Sequence, residues 1–142
     1  MSESATLHQG GCLCGAVRFE AEGPARWVTH CHCRSCRRAT GSAFATYTGY
    51  ARDKVRFSGA KPGENHSSPG VTRRFCKACG SPLSYEGARW PDEIHLLVAA
   101  FEAPGDFKPQ GHVFCAEQLA YVKLADGLPR WATTASEGPP LE

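Results

Sequence analysis

From Ala16 to Glu22 apolar and charged residues alternate, with Val17, Phe19 and Ala21 on one side and Arg18, Glu20 and Glu22 on the other. A period of two predicts a half-buried β-strand. Pro24 ends it, and Trp27-Val28-Thr29 restarts an extended segment that leads into Cys31. Arg34 to Thr40 fits about two helical turns closed by Gly41, at the position where glycine commonly ends a helix. Ala43 to Tyr50, rich in Phe, Thr and Tyr, predicts a strand, and Lys54 to Phe57 a short partner. Ser58 to Gly70 reads as one long loop, punctuated by Pro62, Gly63, Asn65, Pro69 and Gly70. Val71 to Phe75 is a brief strand that runs into Cys76-Lys77-Ala78-Cys79-Gly80, and Leu83-Ser84-Tyr85 continues beyond it, which makes a cysteine knuckle between two strands. Ile94 to Phe101 and His112 to Cys115 predict two more strands, joined by a connection carrying Pro104, Gly105, Pro109 and Gly111. No internal repeat is present. Residues 1–9 read as a flexible lead, 10–131 as one domain and 132–142 as a loose C-terminal tail, polar and with two consecutive prolines.

A chain of 142 residues suits a single core. Apolar residues at 42% and charged residues at 21% are an ordinary globular balance and speak against global disorder. The net charge of +2 suits attraction of a small anion and falls short of a dedicated nucleic-acid binder. The longest apolar run, Leu96 to Phe101, is far shorter than the roughly 18 residues of a membrane helix. The polar stretch Met1 to Gly10 has no apolar signal core, so the expected setting is the cytoplasm, where thiols stay reduced.

That setting gives eight cysteines their meaning. Cys31-His32-Cys33-Arg34-Ser35-Cys36 places three thiols within six residues, crowded by Arg34, Arg37 and Arg38. Three protein ligands on a tetrahedral zinc leave a fourth position for water or substrate, the arrangement of catalytic sites. The competing reading closes the site with a fourth ligand and makes it structural. At a helix N-terminus these thiols would also be stabilised as thiolates. Cys12-x-Cys14 and Cys76-x2-Cys79 each present two thiols on a tight turn and together suffice for a closed Cys₄ site. The halves are separated by residues 15–75, much more than the 15–20 or so of a small zinc ribbon, so the metal would tie the first strand to the middle of the chain. Spacing also allows Cys12 and Cys14 to pair with Cys31 and Cys33.

Three motifs in succession carry a resemblance: Gly11-Cys12-Leu13-Cys14-Gly15, then Cys31-His32-Cys33-Arg34-Ser35-Cys36-Arg37-Arg38 with Gly41-Ser42, then Phe75-Cys76-Lys77-Ala78-Cys79-Gly80-Ser81. Together with Asp126-Gly127-Leu128-Pro129 they make residues 10–131 similar to the glutathione-dependent formaldehyde-activating enzyme family, which includes centromere protein V. The resemblance implies an all-β fold of small antiparallel sheets arranged like a tent in one zinc-stabilised domain. It implies two zinc ions per chain, Cys12, Cys14, Cys76 and Cys79 as structural ligands, and Cys31, Cys33 and Cys36 as catalytic ones. The implied reaction joins glutathione and formaldehyde in S-hydroxymethylglutathione, a carbon-sulfur lyase reaction in reverse, with a small thiol as the partner. Separately, the mild charge speaks against a nucleic-acid partner and the short apolar runs against a membrane.

Other readings compete. Cys33-x2-Cys36 suits a thioredoxin-like redox pair, but no long helical periodicity follows it. A zinc module binding nucleic acid or protein through Arg34, Arg37, Arg38, Arg73 and Arg74 is the other alternative, against which stand the mild charge and the absence of a recognition helix. Cys115, in an apolar run, reads as a buried hydrophobe rather than a fourth ligand. His32 reads equally as a proton shuttle or a solvent-facing turn residue, and His95 and His112 as strand histidines with partners. Arg73 and Arg74 read as a solvated edge face before an anion site.

Overall fold

The computed structural model describes residues 6–142, so most of the expected lead lies outside the described residues. The chain is mainly β, in small sheets, with one α-helix among the described residues. Its packing groups it into two units: the chain through Arg26 together with Thr48–Phe107, and Trp27–Tyr47 together with Lys108–Glu142.

In the first unit, β1 (Leu7–Gly11), β2 (Val17–Glu22) and β5 (Val55–Gly59) form an antiparallel sheet in the order β1-β2-β5. The alternation read from the sequence is the burial pattern of β2, with Val17, Phe19 and Ala21 at most 1% exposed. Phe19 meets Phe101 edge-on at 5.0 Å and Phe57 at 6.1 Å. Burying a side chain of this size contributes about 2 to 3 kcal/mol. Gly10 opposite is required, because a Cβ there would lie 2.4 Å from the Phe19 ring and 2.5 Å from the Ala100 carbonyl oxygen. β1 starts at Leu7, three residues inside the expected lead, because pairing with β2 continues out to Leu7 opposite Glu22.

The same unit carries β6 (Gly63–Asn65), β7 (Val71–Phe75), β8 (Pro82–Gly87) and β9 (Glu93–Leu97), antiparallel in that order. The expected long loop 58–70 is therefore interrupted by β6. Gly63 is buried against Phe75, whose ring would lie 2.5 Å from any added Cβ, and Glu64 pairs with Arg74. The register of β7 on β8 slips between Arg74 and Phe75, and a bulge of this kind re-aims a strand. It does so where the chain enters Cys76. The expected strand 94–101 stops at Leu97, and Val98–Ala100 close into a 3₁₀ turn. A continuous apolar run carries no period by which the two could be told apart.

β4 (Ala45–Ala51) passes from the second unit into the first. In the second unit, β3 (Trp27–Cys31) pairs with β10 (His112–Val113), and this pair is parallel, with His30 opposite His112 and Cys31 opposite Val113. The pairs β1–β2, β2–β5, β6–β7, β7–β8 and β8–β9 are antiparallel, as expected. β10 does not reach Cys115: Phe114 adopts φ 57°, ψ 38°, a left-handed backbone uncommon for a bulky residue, and Cys115–Glu117 form a 3₁₀ turn. The helix α1 (Arg34–Thr40) has the expected bounds and ends at Gly41 with φ 67°, whose N–H bonds the Arg37 carbonyl at 2.8 Å. The segment expected to be a loose tail is tied down at its start, where Thr133 and Ala132 accept from the Phe114 and Ala116 amides and Thr134 is buried.

Candidate metal centres

Two thiol clusters form, one within each unit. In the first unit, Cys12 and Cys14 on the β1–β2 turn meet Cys76 and Cys79 on the β7–β8 turn, with all four sulfurs within 4.8 Å of one another. The Cys12–Cys14 separation is 3.7 Å and the Cys14–Cys76 separation 3.8 Å. Four sulfurs about 2.3 Å from a tetrahedral zinc lie about 3.8 Å apart, so the donor set and its spacing fit that ion. Backbone donors support the sulfurs. The Val17 amide donates to Cys12 Sγ at 3.3 Å and the Cys79 amide to Cys76 Sγ at 3.4 Å. Gly80, at φ 79°, closes the knuckle through its N–H to the Cys76 carbonyl.

Ser81 extends this support. Its Oγ accepts from the Leu13 amide at 3.0 Å and lies 3.1 Å from Cys79 Sγ, so its own proton is free to point at the sulfur. That hydroxyl, with backbone donors, brings the Cys79 thiol down to about 5, whereas the packed neighbouring thiols push Cys14 up to about 11 despite the Ala16 amide, which pulls it down. Four thiols with such opposed preferences become four thiolates together only beside a cation. Ser81→Ala is accordingly expected to weaken metal binding at this cluster by roughly 10 to 100 fold, as measured by competition with a chromophoric chelator. An unchanged affinity would show that the hydroxyl contributes nothing to the sulfur.

In the second unit, Cys31, Cys33 and Cys36 bring their sulfurs within 4.8 Å of one another. Cys31 ends β3, Cys33 caps α1, and Cys36 lies in its first turn. The Cys36 amide donates to Cys33 Sγ at 3.2 Å, the same i to i+3 bond that shapes the Cys76–Cys79 knuckle. Cys31 and Cys36 are buried and Cys33 is half-buried. Cys33 and Cys36, followed by burial, push the Cys31 thiol far above its ordinary range. The cluster, too, is suited to a cation it must share. No fourth cysteine joins it among the described residues, and Cys115 Sγ lies 3.7 Å from the His112 carbonyl oxygen. All eight cysteines are free thiols. The pairing of Cys12 and Cys14 with Cys31 and Cys33, open from spacing, is not the grouping that forms.

Three of the arginines read as candidate anion or nucleic-acid contacts, Arg37, Arg73 and Arg74, have protein partners. Arg37 donates to the His32 and Glu117 carbonyl oxygens. Arg74, its side chain only 16% exposed, pairs with Glu64 and Glu86 on a strand that is not an edge, and Arg73 lies 5.0 Å over the Tyr85 ring. Arg34 and Arg38 are exposed.

His32 is fully buried, which excludes its reading as a solvent-facing residue. Its Nε2 lies 2.9 Å from His112 Nδ1, and His112 Nε2 lies 2.7 Å from Asp126 Oδ2. His30 stacks on His112, and Phe44 packs against both His30 and His32. Burial, then His112, brings His32 down to about 4, so it is neutral at pH 7. His95 lies 3.1 Å from Glu93, as expected of a strand histidine with a partner. Sequence reasoning did not find the His30–His32 pair. The signal was their spacing of two, which sets them on the strand face opposite Cys31 and Cys33.

Small β sheets with two separate sets of converging thiols define a cysteine-rich β protein with two candidate metal sites. The sequence model of the glutathione-dependent formaldehyde-activating enzyme family matches residues 7–117, and the chain belongs to that family. A Halomonas elongata protein named "Putative glutathione-dependent formaldehyde-activating enzyme" is 32% identical over 106 residues, covering 68% of this chain and 67% of that protein. An uncharacterized lyase of Schizosaccharomyces pombe is 31% identical over 78 residues, covering 55% of this chain and 56% of its own length. The fold is similar to that of a Rhodobacter sphaeroides protein of known crystal structure, with a TM-score of 0.57 at 22% identity over 87% of this chain and 98% of that one.

Proposed function

We propose that the protein is a zinc-dependent carbon-sulfur lyase that acts on the adduct of a small thiol and an aldehyde, with glutathione and formaldehyde the leading pair. The observation that carries this reading is the three-thiol set Cys31, Cys33 and Cys36, grouped without a fourth sulfur among the described residues. Family membership and the names of the relatives support the same chemistry.

Cys31, Cys33 and Cys36 would hold the catalytic zinc, and Cys12, Cys14, Cys76 and Cys79 a structural one. Zinc, when bound, supplies a Lewis acid beside which a coordinated thiol loses its proton near neutral pH. Three side chains leave one tetrahedral position for that thiol, and burial of Cys31 and Cys36 keeps bulk water from it. Arg34, Arg37 and Arg38, on the helix that carries Cys36, offset the negative charge of three thiolates. In the synthetic direction the substrate S–H bond breaks, sulfur bonds the carbonyl carbon, and the carbonyl oxygen takes a proton to become the hydroxyl of an S-hydroxymethyl group. The lyase direction reverses each of these changes.

The experiment combines metal content per chain with a panel of thiols and formaldehyde, the exchange between free thiol and adduct being followed by NMR at equilibrium. Two zinc ions per chain and accelerated exchange for at least one thiol are expected. A protein carrying both metals that accelerates exchange for no thiol in the panel contradicts the lyase reading.

A further inference from the structure

Asp126, His112 and His32 form a hydrogen-bonded chain that starts at the surface and ends in the interior. The Asp126 side chain is 41% exposed, that of His112 is 1% exposed, and His32 is fully buried. Its direction follows from its buried end. His32 Nδ1 is shielded from solvent and has no hydrogen-bond partner. If that nitrogen carried the proton, a buried N–H would be orphaned, which is rarer in proteins than an under-used acceptor. His32 Nδ1 is therefore bare and Nε2 carries the hydrogen, which it donates to His112 Nδ1. His112 in turn donates from Nε2 to Asp126 Oδ2. The carboxylate is oriented for this by its other oxygen, Oδ1, which accepts from the Leu128 amide at 3.0 Å. Each link accepts on one side and donates on the other, so an anion at the surface fixes both imidazole tautomers.

His30, His112 and Asp126 also bring ligand atoms within 4.8 Å of one another. They do not make a metal site in this arrangement. The His30 and His112 rings stack at 4.6 Å with 27° between their planes, so their in-plane lone pairs run side by side rather than converge. Both His112 nitrogens are already engaged.

The chain bears instead on the thiols. His32 sits between Cys31 and Cys33, and its amide bonds the Val113 carbonyl at 3.0 Å. Extended backbone sends neighbouring side chains to opposite faces, so a clamp on the His32 ring sets the direction of the cysteine on either side. We propose that Asp126 is a positioning residue for the Cys31-Cys33-Cys36 cluster, acting through His112 and His32 to hold the turn that carries two of its three thiols. This inference rests on the reading of that cluster as a metal site. It also accounts for the segment Asp126-Gly127-Leu128-Pro129, in which the Leu128 amide orients the carboxylate that anchors the clamp.

The test is Asp126→Asn, of the same shape and at a partly exposed position. With its carbonyl oxygen kept on the Leu128 amide, asparagine presents N–H₂ to His112 Nε2, which must then accept. Both tautomers reverse, and the proton on His32 moves to Nδ1, where nothing accepts it. Nitrogen-15 NMR of the histidine rings reads the tautomers directly, and cadmium-113 NMR with chelator competition reads the two clusters separately. The wild type is expected to carry hydrogen on Nε2 of both His32 and His112. The variant is expected to reverse both and to bind metal at the three-cysteine cluster roughly 10 fold more weakly, with the four-cysteine cluster unchanged. Asp126→Glu, which keeps a carboxylate, should restore both signals. A wild type with hydrogen on His32 Nδ1 overturns the inference without any variant. So does an asparagine variant with unchanged tautomers, or one with reversed tautomers and unchanged metal affinity. A wild type that takes up no metal at the three-cysteine cluster sinks the functional reading itself, a result distinct from these.

Discussion

Cys76→Ser is expected to release the metal from the four-cysteine cluster and to unfold the first unit, at a cost of about 5 kcal/mol or more. Cys76 is 1% exposed and its sulfur lies 3.8 Å from that of Cys14, 62 positions earlier. Serine offers zinc a poor ligand and leaves three thiols without the cation that reconciles their charges. A metal held there would also close the long loop between the two knuckles, a constraint whose loss favours the unfolded chain. Cys33, by contrast, is half-buried and belongs to the other cluster. Cys33→Ser should lower stability by only about 1 to 2 kcal/mol. Urea titration with metal analysis of each variant checks both values. If the two variants melt alike and both keep two metals, the division into structural and catalytic clusters is wrong.

Cys36→Ser should leave the fold in place, reduce metal content from two per chain to one and lower the rate of thiol–aldehyde exchange by roughly a thousandfold, about 4 kcal/mol of transition-state stabilisation. Cys36 is buried in the first turn of α1, and its amide is the donor that shapes the Cys33 side of the cluster. The substitution keeps that amide, so the loss isolates the sulfur. Cobalt gives an independent readout in the unaltered protein. Its spectrum at this cluster should report three sulfurs and a solvent ligand, and should gain four-sulfur character when a thiol substrate is added. Glycerol should not produce that change. Four sulfur ligands before any thiol is added would mean that the cluster is closed and has no place for substrate.

The parts of the molecule legible in the sequence are those set by local signals. The alternation through β2, the glycine that ends α1 and the bounds of β7 each need only a few neighbouring residues. The three-cysteine cluster and the two halves of the four-cysteine cluster were legible too, because their short internal spacings match the reach of a metal ion, whereas spacing left open which pairs meet across the 62 positions between Cys14 and Cys76. What remained hidden depends on contacts distant in sequence. β6 exists because Gly63 fits under Phe75 and Asn65 pairs with Arg73, and nothing in Ser58–Gly70 taken alone shows this. β10 is cut short by the left-handed turn at Phe114, a residue that gives no warning of it. His32 and His112 lie 80 positions apart, and no pattern in either segment points to the other.

The interleaving of the two clusters along the chain has a consequence for biosynthesis. Cys12 and Cys14 leave the ribosome first, and the partners that complete their site follow 62 positions later. At about 5 to 20 residues per second the gap lasts roughly 3 to 12 s. Cys31, Cys33 and Cys36 emerge within that interval. A zinc ion arriving in that interval would meet two thiols of one cluster and three of the other. If both clusters hold zinc, faithful loading requires that this first capture be reversible until the Cys76–Cys79 knuckle appears, and the nascent chain would then sort its metals by exchange rather than by order of arrival.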